Sequence, residues 1–479
     1  FVATGFNSVG IAANGGVGKV VAQWILDRRP PMDLSDVDIR RALPFQANRR
    51  YLHDRTVETL GLLYAMHWPY YQYTTARGAR RTPLHDRLIA AGACMGETAG
   101  WERPNWYAAP GSTPVYEYSY GRQNWFEACR AECLAVRDQV ALFDQTCFAK
   151  FLVQGRGACA LLNRLSTADV DVPVGKIVYT QWLNERGGIE ADLTITRLAT
   201  DEYLVVTAAV CQTRDLASLR QAIAANPAAS CYATDVTAGI AMLGVMGPGS
   251  RALLSAVSGA DLSNATHAFG TSREIEIGYA RVRASRITFV GELGWELYLP
   301  AESCLDVYER LIEAGQAHGL KLAGYHAMAA CRIEKGYRSW SHDIGDEDTP
   351  LDAGLAFTLA WDKPGGFVGR EALLKQRAAG ALPKRLVQVM LVDDSSAAPL
   401  LYHEEPIVRD GVIVGSVKSG AWGFRLGKSI GMGYVETPAG VSREWLESGR
   451  WEVEVACERY AARVQLQPWY DPKSERIKA

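Results

Sequence analysis

No stretch of this sequence approaches about 18 consecutive apolar residues, so no membrane-spanning helix is expected. Neither sign of charge dominates: 51 Lys+Arg stand against 53 Asp+Glu, a net charge of -2. Whole-chain attraction to nucleic acid or anionic lipid is therefore not expected, which leaves only a local basic patch open. Cysteine is sparse, ten in 479 residues, and none forms a C-x-x-C pair; a disulfide scaffold is excluded. The closest two, Cys129 and Cys133, fall four apart in a helical pattern with Trp125, Phe126 and Val136. No further cysteine or histidine stands near enough to complete a metal site, so they read as core thiols. A reducing compartment follows, the cytoplasm or, in a eukaryote, the mitochondrial matrix. The opening FVATG has neither a charged n-region nor a cleavage pattern, so it is not a signal peptide. A chain that opens inside an apolar strand is expected to be cut from something longer.

What is present is globular. Hydrophobic residues make up 48% and charged residues 22%, values that exclude disorder. A length of 479 residues suggests about three domains. Residues 1–4 read as a short strand. After Gly15, the positions Val17, Val20, Val21, Trp24 and Ile25 follow helical spacing, and Pro30 and Pro31 end the helix. A glycine-rich turn feeding a helix N-terminus directs free N–H groups at one point, which suits an anion or an electron-rich ring edge. GGVGKV nevertheless matches neither dinucleotide nor P-loop spacing, so a turn without a ligand stays open.

The run GFNSVGI…GGVGK…WI resembles the last strand and helix of the flavin-binding domain in the dimethylglycine and sarcosine dehydrogenase group. That resemblance implies that Asn7, Ser8, Val9, Gly10 and Ile11 approach FAD, most of which an upstream segment would hold. Residues 31–108 continue it: a helix near residues 48–65, the aromatic HWPYYQY, and WERPNW, which is similar to the segment joining the flavin and folate halves of those enzymes. By chemistry alone, Trp101, Trp106 and the tyrosines make either an aromatic cage for a methylated ammonium or plain packing. His53, His67 and His85 have no partner at ligand or triad spacing and read as surface or core histidines.

Residues 109–375 alternate strands and helices. Two strand–Gly–helix units, FLVQGRGACALL and MLGVMGPGSRALL, are weakly alike, as an internal duplication would be. The segment resembles the folate-binding fold of the glycine cleavage T-protein, most closely at YTQWLNERGGIEADLTITR, where Gly187 and Gly188 signal a hairpin. Asp192 follows beside apolar Leu193 and Ile195, a setting in which a carboxyl pKa rises toward that of a useful base. The resemblance places Asp192 by N10 of tetrahydrofolate, as the catalytic residue, and Tyr179 on the pocket wall. It also implies that Glu296, in FVGELGWELYLP, accepts from the pterin N–H edge. Phe289 replaces a frequent tyrosine there. Arg332, in AMAACRIEKGYRSWSHDI, falls on a pocket arginine. Residues 383–479 are β-rich and look like the small C-terminal barrel of the T-protein, although Lys418 replaces its usual threonine.

The expected architecture is multidomain α+β: residues 1–30 the end of a flavin domain, 31–108 a linker domain, 109–375 a folate-binding domain and 383–479 a β-barrel. The implied function is the folate half of an FAD-dependent N-methylglycine dehydrogenase, which passes a one-carbon unit to tetrahydrofolate. The implied partners are a small methylated amine, tetrahydrofolate and an upstream FAD domain. Two alternatives remain: a regulatory subunit resembling that of pyruvate dehydrogenase phosphatase, and a flavin-independent aminomethyltransferase.

Overall fold

The computed structural model describes every residue of the chain except Asn7 and Ser396, and within it two stretches fold to one plan. Strand Ala149–Gly155 leads through a turn to helix Ala158–Leu165, then to a meander of Ile177–Leu183, Ile189–Ala199 and Glu202–Thr207. Strand Ile240–Met246 likewise leads to helix Ser250–Ser258, then to a meander of Ser272–Ile277, Ala280–Ser285 and Gly294–Pro300. In each case the last strand of the meander returns to pair antiparallel with the first strand of its unit. The turns match too. Gly155 has φ +124° and Gly247 φ +126°, and a Cβ at either would collide with a backbone carbonyl oxygen, of Ser230 or of Gln139. Only glycine fits there.

The first plan gives a five-stranded antiparallel sheet, in which Cys231–Asp235 flanks Ala149–Gly155. The second gives a six-stranded sheet, extended by Val140–Asp144 and then, in parallel, by Leu320–Leu322. Strand alternation sorts the side chains between two faces. Outer faces bury Leu193, Ile195 and Val205 against Leu162 and Leu219, and Trp295, Leu297 and Leu299 against Leu253 and Leu311. The inner faces meet in a thin layer of Leu204, Val206, Met242 and Tyr298. Burying each such side chain contributes about 1.5–3 kcal/mol.

The third unit is a closed barrel of six strands from Lys384–Leu391 to Glu458–Gln465. Asp410 and Gly411, at φ 51° and 85°, form the hairpin turn that the Asp-Gly pair signals. The WERPNW run is strand Trp101–Tyr107, paired with Ala93–Thr98. Its tryptophans are packing rather than a cage: Trp106 lies in a core with Trp125, Cys129 and Cys133, and the Arg80 guanidinium already covers the Trp101 ring at 4.1 Å.

The N-terminus departs from the sequence reading. Residues 1–4 form no strand, and helix Gly10–Asp27 starts five residues before Gly15 and takes in Gly15, Gly16 and Gly18. Among the described residues no strand pairs with residues 1–4, whereas each interior glycine costs a helix only about 1 kcal/mol. Helix Arg49–Leu62, capped by the Asn48 side chain, falls where the spacing places it. Neither helix has a buried residue.

One buried cation ties the units together. Arg137, on helix Phe126–Asp138, is fully buried. Its guanidinium donates to Glu334 Oε2 at 2.7 Å, Glu292 Oε1 at 3.2 Å, and the carbonyls of Val290 and Cys331 at 2.7 and 3.1 Å. Glu334 Oε1 accepts from the barrel's Arg425 N–H at 2.8 Å, and Glu292 also accepts from Arg476 at 2.7 Å. Replacing Arg137 by leucine leaves both buried carboxylates short of their cation. Urea denaturation of the full chain should show a loss of about 3–5 kcal/mol, and Arg137→Lys, which lacks the planar fork, should recover only part of it.

Candidate functional site

The hairpin at Gly187 and Gly188 builds one wall of the site. Strands Ile177–Leu183 and Ile189–Ala199 are joined by a five-residue loop in which Asn184 accepts from the Gly188 N–H through its side chain at 3.0 Å and donates its own backbone N–H to the Gly188 carbonyl at 2.9 Å. The register sets Gln181 opposite Asp192 and Tyr179 opposite Thr194. Because Ala191 and Leu193 point into the outer core, Asp192 points to the inner face. Gln181 Nε2 donates to Asp192 Oδ1 at 2.8 Å, and the Tyr179 phenol stands beside the same carboxyl. Burial pushes the Asp192 carboxyl up to about 6; Gln181, Tyr179 and the charge of Arg338 restrain the rise, and Asp215 adds to it.

Glu296 enters the same inter-sheet layer from the other sheet. It is buried on strand Gly294–Pro300, two residues from Tyr298, whose hydroxyl donates to Glu296 Oε2 at 2.7 Å. Burial pushes its carboxyl up to about 7, and the Tyr298 hydrogen bond opposes this. Two carboxyls poised near neutrality, one on the inner face of each sheet, can each accept or hold a proton.

Phe289 and Arg332 meet at Tyr337. The Phe289 ring lies 6.3 Å from that of Tyr337, nearly parallel. The buried Arg332 guanidinium pairs with Asp343 and donates to the Tyr337 carbonyl at 3.1 Å and to Ser419 Oγ of the barrel at 2.9 Å. Its fork thus holds protein groups. The segment after helix Tyr325–Glu334 runs from Arg332 past Arg338 to Trp340, whose Nε1 donates to the Ile189 carbonyl at 3.0 Å beside the Asp192 strand. Ser8, Val9 and Ile11 are exposed at the N-terminus of helix Gly10–Asp27, which no side chain among the described residues caps, and Gly10 is half-buried there. Asn7 lies outside the described residues.

Three residues at the site escaped the sequence reading: Gln181, Arg338 and Thr358, whose hydroxyl donates to Gln181 Oε1 at 2.6 Å. Counting register outward from the Gly-Gly loop would have missed Gln181, because a bulge between Trp182 and Leu183 shifts the pairing by one. Nothing local marks the other two.

Raising the Asp192 pKa has a stability cost of definite sign. Between its ordinary value of 3.8 and about 6, the folded chain binds a proton that the unfolded chain has lost. Stability from this group therefore falls as pH rises through that window. Asp192→Asn does not titrate, so relative to wild type its thermal or urea stability should gain about 2–3 kcal/mol between pH 4 and pH 7. A gap that stays constant with pH would overturn this.

Residues 84–363 match the family described as GCVT N-terminal domain, 384–471 the glycine cleavage T-protein C-terminal barrel domain, and 29–82 the FAD dependent oxidoreductase central domain. The chain is 47% identical over 478 residues to 4-methylaminobutanoate oxidase (formaldehyde-forming) of Paenarthrobacter nicotinovorans, covering 100% of this chain and 56% of that protein. It is 37% identical over 519 residues to mitochondrial sarcosine dehydrogenase of Homo sapiens, again covering 100% and 56%. Against the mitochondrial pyruvate dehydrogenase phosphatase regulatory subunit of Mus musculus, identity is 32% over 482 residues, covering 98% and 55%. The chain thus spans about half the length of the curated relatives it matches. Among solved structures, the glycine cleavage system aminomethyltransferase T of Bartonella henselae shares its fold, with a TM-score of 0.69 and 24% identity over 82% of this chain and 99% of that one. With more than half of its residues matched to that family and its barrel matched as well, the chain belongs to the glycine cleavage T-protein family.

Proposed function

We propose that this chain is the folate-binding half of an FAD-dependent dehydrogenase of an N-methylated amino acid of the dimethylglycine or sarcosine kind. In this reading residues 109–375 bind folate, the barrel at 383–479 flanks them, and the one-carbon unit of the oxidised N-methyl group passes to tetrahydrofolate to give 5,10-methylenetetrahydrofolate. The observation that carries it is the pair Asp192 and Glu296, which enter one buried layer from two sheets with carboxyls raised to about 6 and about 7.

The donor set fits a reduced pterin. Glu296 keeps one oxygen beyond its Tyr298 bond, and a carboxylate oxygen suits a ring N–H. Asp192, charged above about pH 6, accepts a proton from or orients the nitrogen that takes up the carbon. Tyr179 borders that carboxyl, and Arg332 and Phe289 hold the segment that closes around it. For the flavin, the exposed helix start at Ser8–Ile11 suits the electron-rich edge of the ring, and FAD supplies oxidation of the amine when bound by the upstream half. Holding donor and acceptor on one protein raises the effective concentration of the carbon fragment.

Calorimetric titration of the full chain with tetrahydrofolate tests the reading. Binding on the order of micromolar is expected, with Asp192→Ala at least about tenfold weaker, or about 1.4 kcal/mol. A folded chain that releases no heat, or identical affinity in Asp192→Ala and Glu296→Ala, would sink the folate assignment. Capture of a phosphatase subunit by such a chain would then favour the regulatory reading.

A further inference from the structure

Asp192 does not stand alone. Its partner Gln181 is fully buried, and the Gln181 amide is held at both ends. Nε2 donates to Asp192 Oδ1 at 2.8 Å, and Oε1 accepts from the Thr358 hydroxyl at 2.6 Å. The Thr167 hydroxyl lies 3.5 Å from the same Oε1 and accepts the Gln181 backbone N–H at 3.2 Å. Thr358 is itself buried, at the end of the short turn Ala356–Thr358, 177 residues along the chain from Gln181. An amide turned the other way would set its oxygen against an ionised carboxylate. The Thr358 hydroxyl also lies 2.8 Å from the Leu355 carbonyl, so it is the ionised carboxylate that selects the orientation with Nε2 toward Asp192, and the hydroxyl completes the other end of the amide.

From this geometry we infer that Gln181 and Thr358 are a positioning pair for Asp192: Thr358 fixes the Gln181 amide, and the amide fixes the direction and favours the charged form of the carboxylate. The inference deepens the proposed function and rests on Asp192 being its working carboxylate. The other groups that bear on Asp192 come from separate elements: Tyr179 from the paired strand, Arg338 from the segment after helix Tyr325–Glu334, and Asp215 from helix Gln212–Ala225. None of them contacts Thr358 through a hydrogen bond among the described residues; Tyr179 does bond to Gln181, so the Thr358 variants are the ones that leave these groups in place.

The test reads the titration of Asp192 itself, with no folate present, so that failure of the pair and failure of folate binding are told apart. The full chain is labelled with carboxyl-¹³C aspartate, and the Asp192 signal is identified by its loss in Asp192→Asn. Gln181→Leu removes the amide donor and should move the Asp192 midpoint up by about one pH unit. Thr358→Val should move it up by less, and Thr358→Ser, which keeps the hydroxyl, should return it to the wild-type value. An unchanged or lowered midpoint in folded Gln181→Leu overturns the inference. If Gln181→Leu does not fold, the Thr358 variants decide alone: a midpoint that Val leaves unmoved, or that Ser fails to restore, overturns it as well.

Discussion

The guanidinium of Arg137 is the constraint on which the arrangement of the units depends. A charge with no solvent contact is tolerated only where its partners are complete, and Arg137 finds them in four places: Glu334, Glu292 and the carbonyls of Val290 and Cys331. Each partner belongs to an element that must come close for the charge to be satisfied. Glu334 carries the barrel through Arg425, and Glu292 carries the C-terminal segment through Arg476. The desolvation cost of a buried ion pair makes it a poor source of net stability but an exacting one of geometry. Misplacing any of these elements leaves a buried charge unpaired.

That geometry reaches the site through one helix. Tyr325–Glu334 holds Glu334 at its end and Arg332 two residues earlier. Arg332 anchors Asp343 and Ser419, and between Arg332 and Asp343 the chain passes Tyr337, which stacks on Phe289, Arg338, whose charge bears on the Asp192 carboxyl, and Trp340, which donates to the Asp192 strand. The charge of a segment whose two ends are joined by the Arg332–Asp343 ion pair thus bears on the Asp192 carboxyl. Burial dominates the shift of both Asp192 and Glu296, and hydrogen bonds only trim it.

Much of this was legible in the sequence because it is local. The Gly-Gly hairpin, the Asp-Gly turn of the barrel, the two strand–Gly–helix units and the position of Asp192 between apolar neighbours are patterns within a few residues. The departures at residues 1–18 are local too: the spacing does not say that residues 1–4 pair with no strand among the described residues, or that the helix absorbs its glycines. Long-range contacts were not legible. Arg137 meets Glu334 across 197 positions, and Thr358 meets Gln181 across 177. Nothing near Arg332 in the sequence announces Asp343 and Ser419 as its partners.

The duplicated plan has a mechanical consequence. Asp192 sits on the middle strand of one meander and Glu296 on the last strand of the other, so the two copies contribute from inequivalent places. No covalent path shorter than the chain from 192 to 296 joins them, and between the two sheets Leu204 and Val206 pack with Met242 and Tyr298. Close-packed side chains resist compression strongly and sliding weakly. The separation of the two acids is therefore stiff across the layer and softer along it, and a small shear of one sheet over the other would alter their offset without breaking a backbone hydrogen bond in either.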